Sequence, residues 1–292
     1  MKFPWNKYEE LETKKRNTLQ VFITNRCNLK CDGCFARNAM NGDNKDISIE
    51  EYHQVISDFI NKGGEKINLL GGEPLLHPKI KKILSLNKLR KLKTTIYTNG
   101  LLIDKYREED FCGAKIRLSV YNVYEGMYKS ILNLPIVDYK VDFCYMVSKE
   151  TKVIELLTAV QYINEHYNCD TFFISSIREL DNDRKEFFDD TDMTMPLIEY
   201  KELVHTFLEK YSWQENIDMN IHISKRGVFE SAKNLPVHKC KFANLFIGGK
   251  IIQCPYDIVN LKYQEDYEFD KRNCQHNSSC LMSKIIVKKK RG

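Results

Sequence analysis

Between about residues 18 and 178, short apolar runs alternate with stretches whose apolar residues recur every three or four positions. This alternation leaves few folds open. A strand, a helix and a second strand in succession pack as a right-handed crossover onto a parallel sheet. The strand-like runs are LQVFIT (19–24), INLL (67–70), LKTTIYT (92–98), KIRLSV (115–120), KVDFCYMV (140–147) and DTFFIS (170–175). A helix is predicted over 48–60, where Ser48 and Glu51 form a capping-box pattern and Ile49, Tyr52, Ile56, Phe59 and Ile60 share a face. Others are predicted over 78–89, with a basic outer face, and over 152–163, with Val153, Leu156, Leu157 and Val160 at helical spacing. Shorter helical stretches fall near 103–109 and 123–131. Two α/β architectures fit: an open doubly wound sheet and part of a (β/α) barrel. Both gather ligands at the C-terminal ends of their strands.

The polar segment 181–192 reads as a linker or surface loop. Beyond it, 196–211 is an amphipathic helix with Pro196 near its start, 219–224 a strand, and 242–254 a β-hairpin turning on Gly248-Gly249. A boundary near 180–195 divides a main domain, 1–185, from an appendage, 186–292. With 42% hydrophobic and 29% charged residues, the 292-residue chain suits a globular fold, and collagen-like, coiled-coil or disordered readings drop out. No run approaches the ~18 apolar residues of a membrane helix, and the charged start lacks the apolar stretch of a secretory signal. These features place the chain in the cytoplasm. The net charge, 45 − 40 = +5, is mild, and its excess at Lys284, Lys288, Lys289, Lys290 and Arg291 reads as a solvated end. No RNP-type, KH-like or helix-turn-helix pattern argues for nucleic acid.

Ten cysteines are many for a compartment where disulfides are rare, so clustered ones suggest metal or redox chemistry. Cys27-x3-Cys31-x2-Cys34 directly follows the first strand. Three thiolates on a short loop can hold three irons of a [4Fe–4S] cluster and leave the fourth open to a small molecule. The rival is a zinc loop with a distant fourth ligand. Position at the C-terminal end of a βα strand favours a reactive centre. Gly71-Gly72-Glu73-Pro74 directly follows the second strand. Two glycines let the backbone pass close to a ligand, and such an edge can offer N–H and C=O groups to an amino acid's ammonium.

These two motifs, in this order on successive βα units, make the chain resemble the radical S-adenosylmethionine (SAM) superfamily over roughly 15–180. The resemblance implies a partial (β/α)6 TIM-like barrel. It implies that Cys27, Cys31 and Cys34 hold a [4Fe–4S] cluster, and that SAM chelates the open iron through its amino and carboxylate groups. It further implies reductive cleavage of SAM to a 5′-deoxyadenosyl radical that removes a hydrogen atom from a substrate, with the cofactor carrying the chemistry. Gly71, Gly72 and Glu73 would help to hold SAM. Gly33 stands where the superfamily often has an aromatic residue, so Phe35 is the candidate to cover the adenine or cluster.

Strand alternation adds further candidates. Ser119 shares a face with Arg117, opposite Ile116, Leu118 and Val120, and would point into the barrel near the ribose. Asn99 closes the third strand as a turn residue or a nucleoside contact. Cys144, on a face with Asp142 and Met146, is either a packed core cysteine or a catalytic thiol that returns a hydrogen atom to a substrate radical. Cys112 and Cys169 read as core cysteines, and Arg178 as a surface charge or a carboxylate partner.

Cys240 and Cys254 flank the hairpin, and Cys274 and Cys280 follow. With Gly249-x4-Cys254, this arrangement resembles the opening of a SPASM or twitch domain and implies an auxiliary [4Fe–4S] cluster. A four-cysteine zinc site is the physical rival. His238 and His276 beside them read as surface histidines. The expected function is a radical SAM enzyme of oxidoreductase or epimerase type that dehydrogenates or epimerises a small polar or sugar-like metabolite. A peptide or protein side chain is the alternative substrate, less favoured because only 26 residues precede Cys27, too few for a leader-binding domain. A non-catalytic iron–sulfur or zinc protein is the reading of another class. Flavodoxin or ferredoxin is the expected reducing partner.

Overall fold

The computed structural model describes residues 3–31, 34, 36, 45–127, 129–177, 193–229, 239–254, 262–271 and 284–290. The linker expected at 181–192, Arg178, Phe35, His238, His276, Cys274 and Cys280 lie outside them. The chain divides into two compact units. One comprises 15–117 and 239–273, and the other 1–14, 118–238 and 274–292.

In the first unit, β2 (Thr18–Phe22), β3 (Lys66–Leu70) and β4 (Lys93–Thr98) pair in parallel in that order. Helix α1 (Ile49–Asn61) links β2 to β3, and α2 (Ile80–Leu89) links β3 to β4. The α1 boundary is set as the capping pattern predicts: the Glu51 N–H donates to Ser48 Oγ at 3.0 Å. Ile49, Tyr52, Ile56 and Phe59 are buried, and Ile60 is half-buried. Tyr52 reaches α2, where its hydroxyl donates to Asn87 Oδ1 (2.8 Å). The hairpin of β9 (Phe242–Phe246) and β10 (Lys250–Ile252) belongs to this unit, because β9 pairs in parallel with the outer edge of β2. Gly248 and Gly249 turn it with φ of 81° and 74°, values that disfavour any side chain.

Strand β5 (Lys115–Val120) carries the chain into the second unit. There β6 (Asp142–Val147), β7 (Thr171–Ser176) and β8 (Asn220–Ser224) pair in parallel. Helix α3 (Val153–His166) links β6 to β7, and α4 (Leu197–Tyr211) precedes β8. On α3, Leu156 and Val160 are buried as the spacing predicts, together with Ala159 and Ile163, while Val153 and Leu157 are only half-buried. Glu155 also turns inward, accepting from the Lys152 N–H (3.1 Å) and the Tyr145 hydroxyl (3.1 Å).

Three expectations are corrected. Among the described residues of 123–131 no helix forms: Gly126 (φ 72°) and Lys129 (φ 51°) are left-handed, and a 3-10 turn at Ile131–Asn133, capped by Ser130, follows. The stretch near 103–109 forms two 3-10 turns, Ile103–Lys105 and Glu108–Phe111. The basic end is not solvated throughout. Lys284–Lys289 forms β11, antiparallel between β8 and a strand unforeseen from sequence, β1 (Tyr8–Leu11). The β-branched run Ile285-Ile286-Val287 suits a strand, and Ile285 and Val287 are buried. Lys289 is drawn in as well: its Nζ donates to the carbonyls of Gln214 and Ile217 (2.6 Å each) and lies over the Tyr211 ring. No helix among the described residues is long and apolar enough to cross a membrane.

Candidate active site

The cysteine loop grows out of β2. Cys27 is exposed, Cys31 and Cys34 are half-buried, and no described cysteine is in a disulfide. The Leu29 N–H points at Cys27 Sγ (3.4 Å), and the Cys34 N–H donates to Cys31 O (3.3 Å). Cys34 packs against a buried cluster of Phe22, Ala36, Leu70, Phe246 and Ile252. Among the described residues no three His, Cys, Asp or Glu side chains converge to hold a single metal ion. Thiolates of an iron–sulfur cubane each bind a different iron, so they stand further apart than the ligands of one ion. Three thiols on one loop with an amide aimed at the first sulfur fit that larger group.

The glycine-rich edge after β3 is laced to this loop. The Gly72 N–H donates to Thr24 O (2.8 Å) and the Glu73 N–H to Arg26 O (2.7 Å). The glycines are needed for that approach. A Cβ on Gly72 would lie 2.1 Å from Arg26 O and 2.9 Å from Cys27 Cβ, and one on Gly71 2.5 Å from Thr24 O. The close passage inferred from sequence is therefore first of all a passage against the protein's own cysteine loop.

Glu73 is 1% exposed. Its Oε1 accepts from the Leu75 N–H (2.9 Å) and the Thr98 hydroxyl (2.7 Å), and its Oε2 from the Asn99 N–H (2.8 Å). A carboxylate so enclosed ties the ends of β3 and β4 together. Asn99 is both a turn residue and a clamp. Its Oδ1 accepts from the Leu101 N–H (3.0 Å), and its Nδ2 donates to Asn28 Oδ1 (2.7 Å) inside the cysteine loop. Arg26 completes the frame, bidentate on Asp46 and bonded to Leu76 O (2.6 Å). Sequence reading missed Arg26, Asn28, Thr98 and Asp46. Arg26 and Asn28 flank Cys27, which is a usable signal, whereas nothing in the sequence singles out Asp46.

Ser119 and Cys144 belong to the other unit. Ser119 is half-buried between the buried Leu118 and Val120. Cys144 is buried with its sulfur 3.7 Å from Met146 Sδ, while Tyr145 faces α3 through Glu155. Of the second cysteine group, Cys240 is half-buried and aims its thiol at Phe242 O (3.6 Å), and Cys254 is buried just beyond β10. Cys169 is half-buried with its thiol turned to Thr171 O (3.4 Å), and burial of the sulfur, with Asp142 second, pushes its pKa up to about 12.

Residues 21–121 match the family model described as the radical SAM superfamily. A probable GTP 3′,8-cyclase of Methanococcus maripaludis is 30% identical over 102 residues, covering 35% of this chain and 34% of that protein. The GTP 3′,8-cyclase of Rhizobium etli is 37% identical over 108 residues, 33% of this chain and 30% of that one. This chain thus aligns with about a third of the length of these relatives. The structure of Streptococcus suis SuiB bound to its precursor peptide SuiA superposes with a TM-score of 0.66 at 18% identity, covering 88% of this chain and 63% of SuiB. SuiB bound to S-adenosylmethionine gives 0.63 at 18%, covering 85% and 63%. At that identity the likeness shows the fold, an α/β partial barrel. Residues 21–121, which carry both motifs and the strand ends that hold them, are thus similar to the radical SAM superfamily.

Proposed function

We propose that this protein is a radical SAM enzyme in which Cys27, Cys31 and Cys34 hold a [4Fe–4S] cluster and a small polar molecule is the substrate. When bound, the cluster and SAM supply a 5′-deoxyadenosyl radical that abstracts hydrogen. The chain's own part is placement. The Gly72 and Glu73 amides are taken up by Thr24 and Arg26, which leaves the carbonyls of Gly71 and Gly72 as the edge's acceptors for the SAM ammonium. Phe35 and Ser119 are the candidates for the adenine and ribose, and Asn99 holds the cysteine loop through Asn28. The observation that carries the reading is this clamp, because it locks the three-thiol loop and a glycine cradle into one frame.

The substrate class rests on a second observation. Asn244, Gln20, Asn68 and Thr95 are register neighbours across β9, β2, β3 and β4. They lie two residues before Phe246, Phe22, Leu70 and Tyr97, so they share the face that carries Cys34. All four are buried, and Asn68 Oδ1 and Asn244 Oδ1 have no hydrogen-bond partner among the described residues. Buried acceptors in that state favour a ligand rich in N–H or O–H groups. Dehydrogenation or epimerisation is the reaction class. Cys144 is the candidate hydrogen-atom donor for the latter, and Cys240, Cys254, Cys274 and Cys280 would hold an auxiliary cluster able to take an electron for the former. A precursor peptide, as SuiB binds, is the alternative.

The test is anaerobic reconstitution with iron and sulfide, then SAM and dithionite. 5′-Deoxyadenosine should form steadily and vanish in Cys31→Ala. A protein that holds only zinc and forms none overturns the reading. Polar metabolites should accelerate SAM cleavage, with KM raised in Asn68→Leu. Acceleration by peptides alone moves the substrate to the alternative.

A further inference from the structure

The helix after the glycine cradle, α2, carries a charge pattern that the chemistry above does not use. From Leu75 to Lys93 there are six lysines and one arginine, and no carboxylate occurs between Pro74 and Ile103. That local excess is larger than the net charge of the whole chain, +5. Lys79, Lys81, Lys82, Lys88, Arg90, Lys91 and Lys93 are all exposed on or beside α2. The carboxylates facing them are few: Asp110 pairs with Lys81 (2.8 Å), and Glu50 lies near Lys79 and Lys82. At the N-terminal end of α2 the surface opens into a cleft of about 510 Å³, whose apolar floor includes Leu75 and Leu76 and whose walls include Lys79, Lys81, Lys82 and Lys105. That floor is joined to the cysteine loop: Leu76 O accepts from Arg26 Nη2 (2.6 Å), and Arg26 is the residue before Cys27. One hydrogen bond and one peptide link therefore separate the cleft from the first thiol.

We propose that the basic face of α2, with this cleft at its end, is the docking surface for an acidic one-electron carrier protein that reduces the centre held by the Cys27 loop. The proposal rests on the reading that Cys27, Cys31 and Cys34 hold a redox centre. One electron leaves the carrier's reduced cofactor, which is oxidised by one electron. The metal centre gains that electron, and no proton or ligand crosses. Lysines around an apolar floor suit a protein with a carboxylate rim, since complementary charge accelerates encounter and fixes orientation.

The probe is an acidic flavodoxin, with its Kd for the reconstituted protein measured by titration calorimetry. Binding should weaken as salt rises from about 50 to about 300 mM, where screening shortens the reach of surface charge. The triple variant Lys79→Glu, Lys82→Glu, Lys105→Glu should weaken binding about tenfold or more. It should slow flavodoxin-driven 5′-deoxyadenosine formation in step and leave the dithionite-driven rate within about twofold of the parent. Unchanged flavodoxin binding in the variant overturns the proposal, and so does an RNA oligonucleotide that binds this face more tightly than flavodoxin. Should the triple variant lose its fold, Lys88→Glu with Lys91→Glu puts the same question to the other end of the helix. A parent protein inert with dithionite defeats the enzyme reading instead, while the Kd still decides whether the surface docks the carrier.

Discussion

Glu73 shows how one buried side chain can hold several strand ends together. Its two oxygens serve three donors, so Glu73→Gln must set an amide N–H₂ against at least one of them. A buried donor left without an acceptor costs roughly 1–3 kcal/mol. The expected result is a lower urea midpoint together with slower SAM cleavage. Gly72→Ala acts on the same frame from the other side. Its Cβ would meet the backbone of Arg26, which cannot rotate away, so the cysteine loop must shift. The expected cost is roughly 1–3 kcal/mol, with iron content falling below that of the parent on reconstitution. Both motif residues were legible from the sequence as types at a spacing. Their contacts were not, because the acceptors Thr24 and Arg26 and the donors Thr98 and Asn99 lie on other strand ends. Cys169 gives a pH prediction. Burial raises its pKa from 9.0 to about 12, so between those values the unfolded chain loses the proton first. Its contribution to stability is therefore complete below pH 9 and is lost as pH rises toward 12. Alkylation of the native protein at pH 9, followed by peptide mapping, should leave Cys169 labelled far more slowly than Cys112.

At the level of elements, periodicity carried the reading where a run was long and its face clean. Helix α1 and strands β3 to β7 follow their apolar patterns to within a few residues. Pattern failed where local backbone chemistry overrode it, as at Gly126 and Lys129. It failed again at β11, where three lysines around three aliphatic residues look like a tail until a partner strand stands on either side. That strand makes a sharp prediction. Ile285→Ala removes a buried side chain and should cost about 2–5 kcal/mol in chemical unfolding. Lys288→Ala removes only a surface pair with Asp218 (3.4 Å) and should cost about 0–1 kcal/mol. A solvated tail would make both changes neutral.

Across the whole molecule, order along the chain does not follow membership of the units. The unit containing β6 to β8 also takes β1 and β11, and the unit containing the cysteine loop takes the β9–β10 hairpin with Cys240 and Cys254. Iron content tests what that hairpin contributes. If the second cysteine group holds a [4Fe–4S] cluster, the reconstituted protein should bind about 8 irons, and Cys240→Ser with Cys254→Ser about 4. Equal iron in both leaves the Cys27 loop as the sole cluster site. The amino-acid sequence by itself determined the α/β class, the three-thiol loop, the glycine cradle and their order on successive strands, because periodicity and spacing are local properties of a chain. Only the tertiary structure decided that the cradle's glycines exist to pass the cysteine loop, that Glu73 and Asn99 clamp strand ends, and that a lysine-rich end is an inner strand. Those facts depend on which distant residues meet, and a meeting between residues far apart leaves no mark on either one alone.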